Sequence, residues 1–207
     1  SAATIPPSEI TATSVVPPGV DLEKLRGLSA FFKGEVERET SGAHKEAGKE
    51  FNVGSPKQLQ AILFDQLDLP KTKKIKTGFT TDAESLDWLF AKTKHPILKH
   101  LLRIRETSKL LTTVDGLIDA TASDGRIHTI FQQTVTATGR LPSTNPNIQN
   151  IPLRTAEGRK IRDCFASKAP YTTLRTAHYS QIERRIMAHL SQDANFIESF
   201  KMGEDPH

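Results

Sequence analysis

Residues 136–152 read Thr136-Ala137-Thr138-Gly139-Arg140-Leu141-Pro142-Ser143-Thr144-Asn145-Pro146-Asn147-Ile148-Gln149-Asn150-Ile151-Pro152, too polar a stretch to form a core element. It combines a glycine for close backbone approach, an arginine, small hydroxyls such as Ser143 and Thr144 that suit phosphate oxygens, and the amides Asn147, Gln149 and Asn150. Amide and guanidinium donors reach acceptors at base edges. Minor-groove acceptors are nearly alike for every base pair, so donors placed there monitor pairing shape without reading sequence. The same composition also suits an Asx-turn loop whose amides cap neighbouring helices, and both readings stand at this point.

The chain on either side of this stretch mixes strands and helices. Asp124-Gly125 is a turn dipeptide, after which the pattern has period two over Arg126 to Thr134, with Ile127, Thr129 and Phe131 on one side, predicting a strand. Tyr171 to Tyr179 is β-prone enough for a second strand. Gln181 to Ser191 reads as a helix with Ile182, Ile186 and Leu190 at spacing four.

Further upstream the chain is helical. Leu22, Leu25, Leu28, Phe32 and Val36 fall three or four apart and predict a long helix from Asp21 to about Lys49. Ser55 to Gln58 offers a capping box with Pro56 at the first helical position, followed by Leu59, Ile62 and Leu63 as a buried face. Thr81 to Glu84 offers a second box ahead of Leu86, Leu89 and Phe90. Pro96 opens another helix carrying Ile97, Leu101, Ile104, Leu110 and Leu111. Between these helices lies KTKKIKTG, residues 71–78, where Lys71, Lys73, Lys74 and Lys76 crowd too much like charge for a helix. It reads as a basic loop, either a solvated linker or a phosphate contact. The expected organisation is a flexible Pro/Ser/Thr-rich lead-in over 1–20, a helical subdomain over 21–120 and a mixed part over 121–207, an α+β class with no internal repeat.

Composition sets the outer bounds. The 207 residues are 36% hydrophobic and 25% charged, with 28 Lys+Arg against 24 Asp+Glu, a net charge of +4. That permits a polyanionic partner without demanding one. A single cysteine, Cys164, excludes an intrachain disulfide, and no Cys/His metal cluster is visible. There is no apolar run of about 18 residues and no secretory pattern at the start, so a cytoplasmic chain with no membrane contact is expected. The start at Ser1 suggests missing upstream sequence.

The Thr138 to Pro152 segment, followed by Arg154 and Arg159-Lys160-Ile161-Arg162, resembles the palm-entry motif of the bacterial family A DNA polymerases. The similarity reaches back through Phe51 to Leu59, the 71–82 segment and Thr112 to Asp115, which look like that family's thumb, especially in actinobacterial members. It covers roughly residues 21–207. The resemblance implies a thumb whose lysines, Lys71, Lys73, Lys74 and Lys76, hold a duplex backbone. It implies too that Arg140, Ser143, Thr144, Asn147, Gln149 and Asn150 lie along primer–template DNA. A palm with an antiparallel sheet would then begin, cut off before the fingers, in an enzyme expected to be a monomer that adds deoxynucleoside triphosphates to a primer 3′-hydroxyl.

Ala177 to Ser191 resembles the family's first catalytic motif, D-Y-S-Q-I-E-L-R-I-M-A-H-L-S. In that family the leading aspartate binds two Mg²⁺ ions, which sit about 4 Å apart and prefer hard oxygen ligands near ~2.1 Å. Here the position is His178, whose imidazole neither bridges two ions nor supplies negative charge. The resemblance further implies a nucleotide site over Tyr179, Ser180, Gln181, Ile182 and Glu183, with His207 toward the phosphates. Within it the Tyr179 carbonyl is a minor metal ligand, Gln181 a DNA contact and Glu183 a gate against a ribose 2′-hydroxyl. Pro142, Arg184 and Pro206 also depart from the family pattern, and the second catalytic motif, His-Asp-Glu, is absent. The expectation is a polymerase fragment inactive by itself; a non-catalytic DNA-binding module and the product of a decayed gene are the alternatives.

Overall fold

The computed structural model describes residues 17–132, 135, 137, 140–152, 155–173 and 179–203. His178, His207, Arg154 and Pro206 lie outside them, as do most of the expected Tyr171–Tyr179 strand and residues 1–16 of the lead-in. The chain runs through β1 (Gly19–Val20), α1 (Leu22–Ala47), α2 (Pro56–Gln60), a π-helical turn (Ala61–Gln66), β2 (Lys74–Ile75), β3 (Gly78–Phe79), α3 (Ala83–Thr93), α4 (Pro96–Asp119), β4 (Ile130–Phe131), β5 (Ser143–Thr144), a 3-10 turn (Ile148–Asn150), α5 (Ala156–Arg162), β6 (Phe165–Ala166), α6 (Ile182–Ser191) and α7 (Ala194–Lys201). The strands form three antiparallel pairs, β1 with β6, β2 with β3 and β4 with β5. The α+β class expected from the sequence is what the chain adopts.

The frame is the antiparallel pair α1 and α4. Asp21 starts α1 by accepting a hydrogen bond from Lys24 N–H at 3.1 Å, and Gly48, at φ 70°, ends it. Numbers rise along α1 as they fall along α4: Ser29 Oγ donates to Asp115 at 2.6 Å, and His100 meets Glu39 at 2.7 Å. Two apolar clusters fill the pair's two ends. One joins Ala43 and Ala47 to Leu59, Ile62, Leu63, Leu86, Leu89, Ile97, Leu98 and Leu101. The other joins Leu25 and Phe32 to Leu110, Val114 and Leu117, and then to Ile127, Ile151, Ile161 and Cys164. The second cluster therefore spans both sides of residue 120. Each fully buried Leu, Ile or Phe contributes roughly 1.5–3 kcal/mol by leaving water. Burial also pushes the Cys164 thiol above its ordinary pKa.

Several local expectations are corrected. Residues 17–20 are held in place: Val20 N–H donates to Gly125 O at 3.0 Å, Ile127 N–H to Pro18 O at 3.0 Å, and β1 pairs with β6. The second helix cap is Asp82, which accepts from Ser85 N–H at 2.8 Å, while Thr81 is buried one residue earlier. Ser55 does cap α2, but the Gln58 side-chain Oε1 accepts from Asn52 N–H at 2.7 Å and so leaves the box open. The predicted 126–134 strand is only two residues long as β4, with Gln133 and Thr134 outside the described residues. The basic loop is a hairpin, Lys74 opposite Phe79 and Ile75 opposite Gly78.

The chain forms two compact units, residues 1–172 and 173–207. In the second, α6 and α7 pack on each other, with Asp193 capping α7 through Phe196 N–H at 2.9 Å. Within this unit the helix expected over Gln181 to Ser191 is present as α6, but its spacing-four stripe, Ile182, Ile186 and Leu190, is exposed.

Candidate nucleic-acid interface

Three segments carry the residues that the sequence singles out. The first is the β2–β3 hairpin. Its register is fixed from beneath: Phe79 packs edge-on against Phe64 with centroids 5.5 Å apart, and Phe79 N–H donates to Gln60 Oε1 at 3.2 Å. Thr80 N–H donates to Lys73 O at 3.0 Å, closing the hairpin's base. With its apolar side anchored, the hairpin turns Lys71, Lys73, Lys74 and Lys76 to solvent, and none of the four forms an ion pair among the described residues. Lys71 Nζ lies 5.4 Å from the Phe79 ring centroid. Four exposed ammonium groups on a braced hairpin can neutralise successive phosphates.

The second is the 140–152 loop, where the side chains mostly serve the loop itself. Ser143 is fully buried, and its Oγ donates to Asn147 Oδ1 at 3.1 Å. Asn147 Oδ1 also accepts from Gln149 N–H at 3.0 Å, starting the 3-10 turn. Gln149 spends both ends of its amide, accepting from Ser143 N–H at 3.3 Å and donating to Leu141 O at 2.7 Å. Thr144 is tied to its neighbour strand, its carbonyl accepting from Thr129 Oγ1 at 3.1 Å. For Asn147 and Gln149 this geometry matches the Asx-turn alternative, and Ser143 is turned away from any surface. Arg140 and Asn150 remain exposed at the two ends of the loop.

Behind that loop, α5 displays Arg159, Lys160 and Arg162 around the buried Ile161. Its position depends on Arg103, a residue the sequence reading passed over. Arg103 donates to Glu35, Glu106 and Glu157, each at 3.0 Å, joining α1, α4 and α5. Burial opposes the charge on Arg103, yet hydrogen bonding by Glu157 and Glu106 raises its pKa above the ordinary value. The bond from its own backbone N–H, then that from Arg103, holds the Glu157 carboxyl below the usual carboxylate range. Locally the sequence shows only the Arg103/Glu106 pair at spacing three; Glu35 and Glu157, which make it a hub, lie 68 and 54 residues away.

The third segment is Tyr179 to Glu183. Tyr179 is 80% exposed, Gln181 is the N-cap residue of α6 at φ 52°, and Glu183 occupies the exposed first turn. Arg185 Nε donates to Ser180 O at 3.0 Å, fixing the turn that enters the helix. Among the described residues no group of three or more His, Cys, Asp or Glu side chains is placed to hold a metal ion. An imidazole at His178, itself outside the described residues, and a backbone carbonyl at Tyr179 do not fit a pair of hard divalent cations that need a bridging carboxylate.

Residues 22–207 match the model of DNA polymerase family A. The chain is 56% identical over 188 residues to DNA polymerase I of Mycobacterium tuberculosis (strain ATCC 25618 / H37Rv), covering 91% of this chain and 21% of that protein. With DNA polymerase I of Geobacillus stearothermophilus it shares 43% over 190 residues, 91% of this chain and 22% of that protein. It also resembles the solved POL domain of Pol1 from M. smegmatis, in complex with DNA primer-template and dNTP, at a TM-score of 0.84 and 57% identity over 91% of this chain and 33% of that one. The chain thus spans about a fifth of the length of these curated relatives.

Proposed function

This chain belongs to DNA polymerase family A, a nucleotidyltransferase family, and from that membership we propose that it forms the duplex-holding part of a DNA-directed DNA polymerase. The single observation that carries the reading is the braced hairpin with Lys71, Lys73, Lys74 and Lys76 all in solvent. Residues 21–120 act as a thumb and 121–207 as the opening of a palm. The hairpin lysines hold the phosphate backbone, Arg140 and Asn150 reach the duplex from the ends of the 140–152 loop, and the exposed α5 cations add further phosphate contacts. Ser143, Thr144, Asn147 and Gln149 contribute by holding that loop's shape.

In the intact reaction a primer 3′-hydroxyl, losing its proton, attacks the α-phosphorus of a deoxynucleoside triphosphate and displaces pyrophosphate; Mg²⁺ ions would supply charge neutralisation when bound. Tyr179, Ser180, Gln181, Ile182 and Glu183, with His207, are the nucleotide side of this reading, and Glu183 would exclude a ribose. With His178 in the metal-binding position the donor set does not suit Mg²⁺, so no catalytic step is assigned to this chain. It binds primer–template DNA as a monomer and does not extend it. Among the described residues no helix is long and apolar enough to cross a membrane.

The test is fluorescence anisotropy of the full chain with a labelled primer–template across a salt series, beside a primer-extension assay with Mg²⁺ and all four deoxynucleoside triphosphates. Affinity is expected to fall linearly on a log–log plot, with Lys73→Ala and Lys74→Ala each lowering the slope by about 1. Extension is expected to be nil. Binding that is flat with salt, or slopes unmoved by both variants, sinks the reading; extension by this chain sinks the assignment of inactivity to His178.

A further inference from the structure

The neighbourhood of the hairpin holds a feature that the duplex reading does not use. Trp88, on α3, is 46% exposed although it is the only tryptophan in the chain. It lines one surface cleft of about 650 Å³ together with Lys71 and Lys73. Lys92, one helical turn further along α3, sets its Nζ 4.9 Å from the Trp88 ring centroid. The indole therefore carries the Lys92 ammonium beside its ring and borders a cleft that two lysines of the basic hairpin also line. An exposed aromatic ring on a cleft lined by lysines suits binding of single-stranded nucleic acid, because bases stack on the ring while ammonium groups track the backbone. In duplex DNA the faces of the bases are already stacked on one another, so such a ring is of no use to the duplex itself.

We propose that Trp88 is a stacking platform for an unpaired base of single-stranded DNA, such as the strand that extends beyond a paired segment, with Lys71, Lys73 and Lys92 taking its phosphates. The proposal rests on the hairpin's role as a phosphate-binding element. Asp82 and Glu84 line the same cleft and oppose a polyanion. Asp82 is occupied as the cap of α3, where hydrogen bonds from Thr80 Oγ1, at 2.7 Å, and from Ser85 N–H hold its carboxylate below the usual range. That leaves Glu84 as the uncommitted carboxylate against three ammonium groups. The exposed Lys92 contact is a weak cation–π pair that a stacked base displaces, freeing the ammonium for the adjacent phosphate.

Because Trp88 is unique, its emission reports on this site alone. The full chain is titrated with oligothymidylate, with a blunt duplex and with heparin, which is a polyanion without bases. Saturable quenching by oligothymidylate, weakened by salt and absent with heparin, is expected. Anisotropy of a labelled oligothymidylate should show Trp88→Ala losing about 5- to 100-fold in affinity and Trp88→Phe keeping most of it, with duplex affinity unchanged in both. Circular dichroism matching the parent excludes misfolding of the variants. Equal quenching by heparin or by blunt duplex overturns the stacking site, and so does a Trp88→Ala variant of undiminished affinity. If duplex binding persists in those cases, only the Trp88 platform falls; if duplex binding is also missing, the hairpin reading falls with it.

Discussion

The same added methyl group has opposite consequences on two helices. Gly158 is buried in α5, and a Cβ there meets the backbone carbonyl of Pro152, its carbon at 2.8 Å. That obstacle is main chain and cannot swing aside, so the helix must shift. Gly158→Ala is expected to cost about 1–3 kcal/mol, the range for overpacking a tight site. Moving α5 also disturbs the Glu157 to Arg103 bond that anchors it to α1 and α4. Gly27, inside α1, has nothing within 4 Å of its added Cβ. Gly27→Ala should stabilise by roughly 0.5–1 kcal/mol, because alanine gives up less backbone freedom in a helix. Urea midpoints of the two variants check the pair: equal shifts, or a Gly158→Ala chain as stable as the parent, contradict the close approach of α5 to Pro152.

At the scale of elements, α1 depends on how its first turn is closed. Its leading N–H groups have no intrahelical partner, and Asp21 satisfies one of them while its own N–H donates to Cys164 O at 2.7 Å. Asp21→Ala should cost about 1 kcal/mol, whereas Asp21→Asn keeps a capping oxygen and should cost little. Thermal melts separate the two; matching losses would mean that charge, and not the cap, matters there. The helices of residues 21–120 were legible in the sequence because they bury a local face: Leu25 and Phe32, Leu59 and Leu63, Leu86 and Leu89 all lie where their spacing puts them. The strands were not. Gly19 and Val20 pair with residues 165–166, far along the chain, and a two-residue ladder leaves no period to read. The amides of the 140–152 loop were legible as chemistry but not as geometry, since whether Asn147 and Gln149 face DNA or their own turn depends on contacts with Ser143 and Leu141. Two helices, α5 and α7, went unread, although Asp193 with Phe196, Ile197 and Phe200 behind it carried a signal of cap and stripe for α7.

For the whole molecule, the distribution of apolar burial decides which part of the function is self-supporting. Both clusters close within residues 20–165, the first on the paired helices and the second on the strands and α5. The hairpin lysines, Arg140, Asn150 and the α5 cations all belong to that stretch. Residues 173–207 offer instead an α6 of 10 residues and an α7 of 8, lengths marginal for isolated helices. Within that unit Ile186 is 50% exposed and Leu190 76%. A segment this short cannot bury enough surface to offset the entropy of ordering it. A chain ended after Thr172 is therefore expected to keep the helical circular dichroism of residues 20–165 and a cooperative urea transition. It should also keep the salt-dependent duplex affinity, while the peptide 173–207 alone stays largely unfolded. The nucleotide side of the reading, Tyr179 to Glu183, would then rest on a unit that needs further polypeptide to become rigid, and the duplex side would not. Loss of the cooperative transition in the shortened chain would overturn this division. Loss of duplex affinity with the transition intact would instead move the DNA contacts into residues 173–207.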